Sequence, residues 1–136
     1  MFQTILVPID LSYIENGKAI MEVAKTQGDK EARITLINVI GEVPSFITAG
    51  LPSGILDETV QNARITLEDM AETAGMTADV AVVSGSIAPS ILAKAEEIGA
   101  DLIIIASHRP GLYNYLLGST ASRIVRHAKC SVLVKR

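Results

Sequence analysis

The chain has 136 residues, a formal net charge of −3, 49% hydrophobic residues and a mean hydropathy of +0.36. That length is enough for one domain, and a domain of this size buries roughly two-thirds of the surface its unfolded chain exposes, so its core needs no disulfide or metal. Mixed charge with 4% aromatics and no Trp excludes a dedicated nucleic-acid binder, which carries a basic face and stacking platforms.

Taken in chain order, apolar β-branched runs alternate with helical patterns. Thr4–Ile9 is the first expected strand, bounded by Pro8 and Asp10. Glu15–Gln27 follows as a helix with Ala19, Ile20, Val23 and Ala24 on one face and Gly28 as its stop. Arg33–Ile40 is the second strand. Gly41–Ser53 contains Pro44, Gly50 and Pro52 and is expected to be a long loop. Leu56–Ala74 is the clearest helix, because Leu56, Val60, Ala63, Leu67, Met70, Ala71 and Ala74 recur at steps of three and four. Gly75 ends it.

Asp79–Ser84 is the third strand. Ser86 is placed to cap the next helix, which carries Pro89 in its first turn, a stripe of Ile91, Leu92, Ala95 and Ile98, and Gly99 as its end. Asp101–Ala106 is the fourth strand, Ser119–Ala128 the fourth helix and Ser131–Lys135 the fifth strand. Strands one and four are almost continuously apolar, as strands covered on both faces are. Strict alternation of such strands with helices implies an α/β fold, a parallel sheet with helices on both faces.

No apolar run approaches the roughly 20 residues that span a bilayer. The N-terminus lacks a basic start, a long apolar stretch and a cleavage site, which leaves a cytosolic location as the default expectation. The single cysteine, Cys130, permits no internal disulfide and reads as a small core residue. Arg123, Arg126, Lys129, Lys135 and Arg136 form a basic cluster, read as a solvated helix face and strand end or as a steering field for an anion. His127, at a helix C-terminus, reads as a structural residue satisfied by the helix dipole.

In parallel sheets of this kind the ligand crevice lies beyond the carboxyl ends of the strands, where strand order reverses. Four segments qualify: Pro8–Ser12, Asn38–Gly41, Ser84–Ser86 and Ala106–Thr120. The last carries the strongest signal. A strand, a polar loop and then Gly118-Ser119-Thr120 at a helix start present unpartnered amides at the positive end of a helix dipole, which is how this fold class binds anions. Competing motifs fail. No Gly-x-Gly-x-x-Gly follows the first strand. Gly17-Lys18 lacks the upstream glycine and the following Ser or Thr of a P-loop. Two histidines and one cysteine, scattered, make no zinc site.

The opening Ile5-Leu-Val-Pro-Ile-Asp10 resembles the first strand of the universal stress protein family, which ends in an aspartate. Gly118-Ser119, followed by Arg126-His-Ala-Lys-Cys-Ser-Val-Leu-Val134, resembles that family's final helix and strand. The resemblance spans residues 1–136. It implies a single domain with a five-stranded parallel sheet in the order 3-2-1-4-5, of the adenine-nucleotide alpha-hydrolase-like type. It implies ATP, or ADP or AMP, as ligand, with Mg²⁺ held mainly through phosphate oxygens. Nucleotide-binding members carry Gly, two residues, Gly, nine residues, then Gly and Ser or Thr. Here Ala106 stands at the first Gly, the second is missing and the segment is one residue short. The form Ala106-Ser-His-Arg-Pro110 followed by Gly118-Ser119 is similar to a short-chain branch of the family.

The resemblance gives the candidate residues their roles. Asp10 is a ribose acceptor or a cap for the following helix, near Ser12; phosphorylation, as in a receiver domain, is a third reading that lacks the acidic cluster and late-strand Lys it needs. Val39 offers an apolar wall and backbone groups to adenine, or packs as core, and Pro8, Ile9 and Ile40 line the same pocket. Ala106, Ser107, His108 and Arg109 meet ribose and phosphates, with Arg109 gripping phosphate through its planar fork. His108 donates to a phosphate or caps the loop. Gly118, Ser119, Thr120 and Ala121 hold the phosphates, with Ser119 as a plain N-cap being the alternative. Gly85 reads as a turn. The expected function is a cytosolic ATP-binding stress sensor or regulator with little or no turnover. The alternative is a dimeric interaction module of the same fold that has lost its ligand, and slow ATP hydrolysis or self-modification is a third class. A homodimer is expected through the apolar edge strand Ser131–Lys135.

Overall fold

The computed structural model describes residues 1–41, 50, 54–107 and 117–136. Its elements are β1 (Phe2–Pro8), α1 (Ile14–Gln27), β2 (Gly28–Ile40), α2 (Ile55–Thr73), β3 (Asp79–Ser84), α3 (Ile87–Ile98), β4 (Leu102–Ala106), α4 (Ser119–His127) and β5 (Ser131–Lys135). The strands form one parallel sheet in the order β3-β2-β1-β4-β5, as the resemblance implied.

The side-chain period of two divides the strands between two cores. Ile5, Val7, Ile9, Leu36, Leu102 and Ile104 pack with Ile20, Met21 and Ala24 of α1 and Leu67, Met70 and Ala71 of α2. Leu6, Ile37, Ile103 and Ile105 pack with Ala88, Ile91 and Ala95 of α3 and Ala121 and Ile124 of α4. Central strands buried on both faces therefore read as unbroken apolar runs, because neither face has a polar side.

Two of the three expected helix stops work by the expected mechanism. Gly75 (φ +69) and Gly99 (φ +67) are left-handed. Beyond them the Met76 amide reaches the Ala71 carbonyl and the Ala100 amide reaches the Ala95 carbonyl, so each closes its helix in a Schellman arrangement. Gly28 is a correction. It is extended (φ −86, ψ 154) and opens β2 instead of turning the chain. Glycine is needed there for space, since a Cβ would lie 2.7 Å from Ala32 Cβ. β2 consequently begins five residues before the expected Arg33. Its register with β1 jumps from Phe2↔Gly28 to Thr4↔Arg33, so the polar stretch after Gly28 bulges out of the ladder.

Ser86 holds the N-cap position of α3, but its side chain makes no capping hydrogen bond. Its carbonyl accepts the Ser90 amide instead. Gly85, at φ +143, forms the turn before it, as expected.

β1 is the pivot of the topology. It pairs with β2 through Pro8↔Ile37, but with β4 only at Ile5↔Leu102 and Leu6↔Ile103. The Thr4 carbonyl takes the Asp101 amide on the β4 side, so even-numbered residues of β1 face β4. Pro8 therefore aims its missing N–H at β4. The β1–β4 ladder stops below it, and the strand order reverses at that point.

Candidate functional site

A cavity of about 640 Å³ opens at this reversal, within the size range of small-molecule sites. Its described lining includes Pro8, Ile9, Asp10, Val39, Ala106, Ser107, Gly118, Ser119, Thr120 and Ala121. Of the pocket residues expected from sequence that fall among the described residues, Ile40 alone is not in this lining; its carbonyl faces β3, where it takes the Gly85 amide. His108 and Arg109 lie outside the described residues.

One half of the cavity is built from the ends of β1 and β2. The Ile9 amide donates to the Ile37 carbonyl at 2.8 Å, carrying the pairing one residue past the last rung. Asn38 Nδ2 donates to the Ile9 carbonyl at 2.9 Å. The chain then leaves the sheet. The Asp10 carbonyl accepts the Tyr13 amide at 3.0 Å, and Asp10 Oδ1 accepts the Ser12 amide at 2.9 Å. Asp10 thus makes a local turn at Ser12 but does not cap α1, whose N-cap is Tyr13 without a side-chain capping bond, and it lines the cavity. Among the described residues no hydrogen bond is recorded on Oδ2, which leaves that oxygen for a donor in the cavity.

α1 comes close to this corner because residue 17 is glycine. A Cβ at Gly17 would lie 3.1 Å from Ile9 Cγ2 and 3.2 Å from Met70 Cε. Tyr13, Asn16 and Gly17 line the cavity as a result. Ile37, Val39, Ile87, Ile91 and Ile105 add an apolar wall.

The other half is built from the end of β4 and the start of α4. Ser107 is 3% exposed. Its amide donates to the Lys135 carbonyl at 3.0 Å, and its carbonyl accepts the Gly118 amide at 2.6 Å. Gly118 is the N-cap, with extended backbone (φ −64, ψ 161). This corrects the alternative reading of Ser119 as N-cap: Ser119 is the first helical residue. The first intrahelical bond recorded runs from the Ser122 amide to the Gly118 carbonyl at 2.9 Å. The amides of Ser119, Thr120 and Ala121 therefore have no partner inside the helix. They lie at its positive end, beside the cavity.

Asp10 is the only charged side chain in the described lining, so what that lining offers an anion is backbone amides and the α4 dipole. No group of three or more His, Cys, Asp or Glu suited to a metal occurs among the described residues. Cys130 sits outside the cavity. Burial, with a smaller contribution from the Asp101 charge, pushes its thiol pKa up and keeps it protonated at neutral pH. His127 is an exposed residue in the last turn of α4.

Asn38 is a cavity-lining residue that its sequence context does not single out: it lies in the strand-end segment Asn38–Gly41, and its signal is a lone amide side chain inside the apolar run Ile37 to Ile40. Tyr13, Asn16 and Gly17 gave no signal, because nothing in the spacing of α1 shows which turn meets the sheet end.

A model described as the universal stress protein family matches residues 1–136. Universal stress protein MJ0531 of Methanocaldococcus jannaschii is 32% identical over 98% of this chain and 82% of its own length. Among solved structures, hypothetical protein MJ0577 matches with a TM-score of 0.81 at 25% identity, covering 98% of this chain and 95% of its own. A universal stress protein in complex with cAMP shares the fold at a TM-score of 0.62 and 21% identity, over 99% of this chain and 97% of its own. So does a universal stress protein family protein from Arabidopsis thaliana with AMP bound, at 0.65 and 16%, over 97% and 90%. With a family model matched from end to end and a relative above 30% identity, the chain belongs to the universal stress protein family.

Proposed function

We propose that this protein binds ATP, or another adenine nucleotide, in the cavity at the β1–β4 reversal, with Mg²⁺ held through the phosphates. The observation that carries the reading is the meeting of two chemically different half-sites in one cavity. An apolar wall with backbone groups and a carboxylate suits a base and a ribose. A helix start with three amides that have no partner inside the helix suits phosphate. Two fold-mates hold AMP and cAMP, which agrees with a nucleotide-sized cavity in this architecture.

Val39 packs against the base and Asp10 Oδ2 accepts from the ribose. Ser119, Thr120 and Ala121 hold phosphate oxygens, with Ala106 and Ser107 beside them. Residues His108 and Arg109 complete the phosphate end in this reading. Each charge-assisted hydrogen bond is worth roughly 1.5–3 kcal/mol, so three of them suffice to retain a polyphosphate. The protein acts as a cytosolic stress sensor or regulator with little or no turnover, and it pairs as a homodimer through β5. Among the described residues no helix is long and apolar enough to cross a membrane. β5 is an edge of the sheet and keeps Val132, Leu133 and Val134 only half-buried, which suits strand-edge pairing.

The test is to denature the purified protein, chromatograph what it releases, and titrate the stripped protein with ATP and Mg²⁺ in a calorimeter. Released adenine nucleotide or saturable heat is the expected result. The absence of both would overturn the reading.

A further inference from the structure

The end of β1 raises a problem of competing partners. Along β2, backbone groups alternate sides. The Ile37 carbonyl faces β1, where it takes the Ile9 amide, and the Ile40 carbonyl faces β3, where it takes the Gly85 amide. Val39, two residues from Ile37, therefore presents its N–H and C=O on the β1 side. In a continuing parallel ladder its N–H would bond the Ile9 carbonyl, because each residue on a strand exchanges bonds with the residues on either side of its partner. Here that carbonyl is taken by Asn38 Nδ2 at 2.9 Å. β1 ends at Pro8, and no strand continues opposite Val39. Val39 and Asn38 both line the cavity.

We infer that Asn38 is a positioning residue that holds the Ile9 carbonyl away from the Val39 amide. The inference rests on the adenine-nucleotide reading above. By taking that carbonyl, the side chain leaves the Val39 backbone edge, one donor and one acceptor, open to the edge of a base. It also fixes the point at which the chain departs toward Asp10. The same amide therefore sets the reader of the base and the ribose acceptor. Asn38 itself touches no phosphate, since the phosphate end is built from β4 and α4.

The test uses Asn38→Leu, which keeps the size and removes the donor, and Asn38→His, which keeps a ring N–H donor. Affinities for ATP, GTP and inorganic tripolyphosphate are measured by calorimetry on the full chain. Asn38→Leu is expected to bind ATP at least tenfold more weakly, to lose most of its preference for ATP over GTP, and to bind tripolyphosphate within twofold of the wild type. Asn38→His is expected to retain ATP affinity within about fivefold. Equal losses for ATP and tripolyphosphate, or unchanged ATP binding in Asn38→Leu, would overturn the assignment.

A ligand-free measurement separates this from the function itself. Amide hydrogen exchange at Ser12, whose N–H is held by Asp10, is expected to be at least tenfold faster in Asn38→Leu, with the Leu6 amide unchanged. Unchanged exchange at Ser12 refutes the positioning role even if no nucleotide binds. Faster exchange with no nucleotide binding by the wild type refutes the functional reading and leaves the positioning of Asp10 standing.

Discussion

The two halves of the cavity are built from opposite materials. The β1–β2 half is sheet backbone fixed on several sides: Ile9 is tied to Ile37 and Asn38, Asp10 turns back on Ser12 and Tyr13, and Gly17 lets α1 press against it. The β4–α4 half is a helix start, joined to the end of β4 through the Gly118 amide on the Ser107 carbonyl and packed on the sheet by Ala121 and Ile124. In the function proposed above, the first half reads shape and hydrogen-bond pattern through fixed groups. The second attracts negative charge through amides and a dipole, which have little shape preference. Selectivity should therefore reside in the first half and bulk affinity in the second.

The largest effect is expected at the helix start. Gly118 has φ −64, so its backbone accepts a side chain without strain. Gly118→Leu should leave the fold intact and obstruct the approach of phosphate, cutting ATP affinity by about 100-fold or more. Calorimetric titration and the loss of thermal protection by ATP check this. A variant that binds like wild type would move the phosphate away from α4.

Next comes Asp10→Ala, which removes the proposed ribose acceptor and the side-chain bond to the Ser12 amide. A lost charge-assisted bond of roughly 1.5–3 kcal/mol corresponds to about 10–100-fold in affinity. The loss should be much smaller for a nucleotide lacking ribose hydroxyls, measured on the same two proteins. An equal loss for both ligands would make Asp10 purely structural.

Ser119→Ala should be milder. It deletes a hydroxyl but keeps the amide, so roughly threefold to tenfold weaker ATP binding is expected. ATP hydrolysis followed over time should be indistinguishable between Ser119→Ala and wild type.

The smallest effect on binding is expected far from the site, at Asp101, and there the readout is stability. Burial opposes the charge of its carboxylate, but the Gln3 and Thr4 amides at 2.9 and 3.0 Å outweigh it and hold the pKa below the usual range. A depressed folded-state pKa contributes stability that is present above the unfolded carboxylate value and lost as pH falls through the folded one. Asp101→Asn should therefore lower the Tm by roughly 2–6 °C near neutral pH, with the gap to wild type closing in acid. ATP affinity should stay within twofold. A gap that widens on acidification would contradict the sign.

Much of this architecture was readable in the sequence because the signals were local. Alternating apolar runs and helical stripes locate every described strand and helix, and Gly75 and Gly99 end their helices by backbone freedom that needs no tertiary partner. The failures share a different cause. Gly28 is required by Ala32 across a bulge, and Asn38 matters because of a carbonyl in another strand. Neither relation is encoded in neighbouring residues. The caps at Ser86 and Ser119 failed because the backbone satisfied or shifted the helix start without the side chain. The site residues on β1, β2, β4 and α4 were reachable from topology and family likeness together, whereas Tyr13, Asn16 and Gly17 depend on how closely one helix packs.

The central claim is that the two halves serve one ligand. An amide-resolved NMR titration of the stripped protein with ATP and Mg²⁺ tests it most directly. The account predicts that Asp10 and Val39 on one side, and Ser119, Thr120 and Ala121 on the other, shift together along a single binding curve. Shifts confined to one half, or none at all, would contradict it.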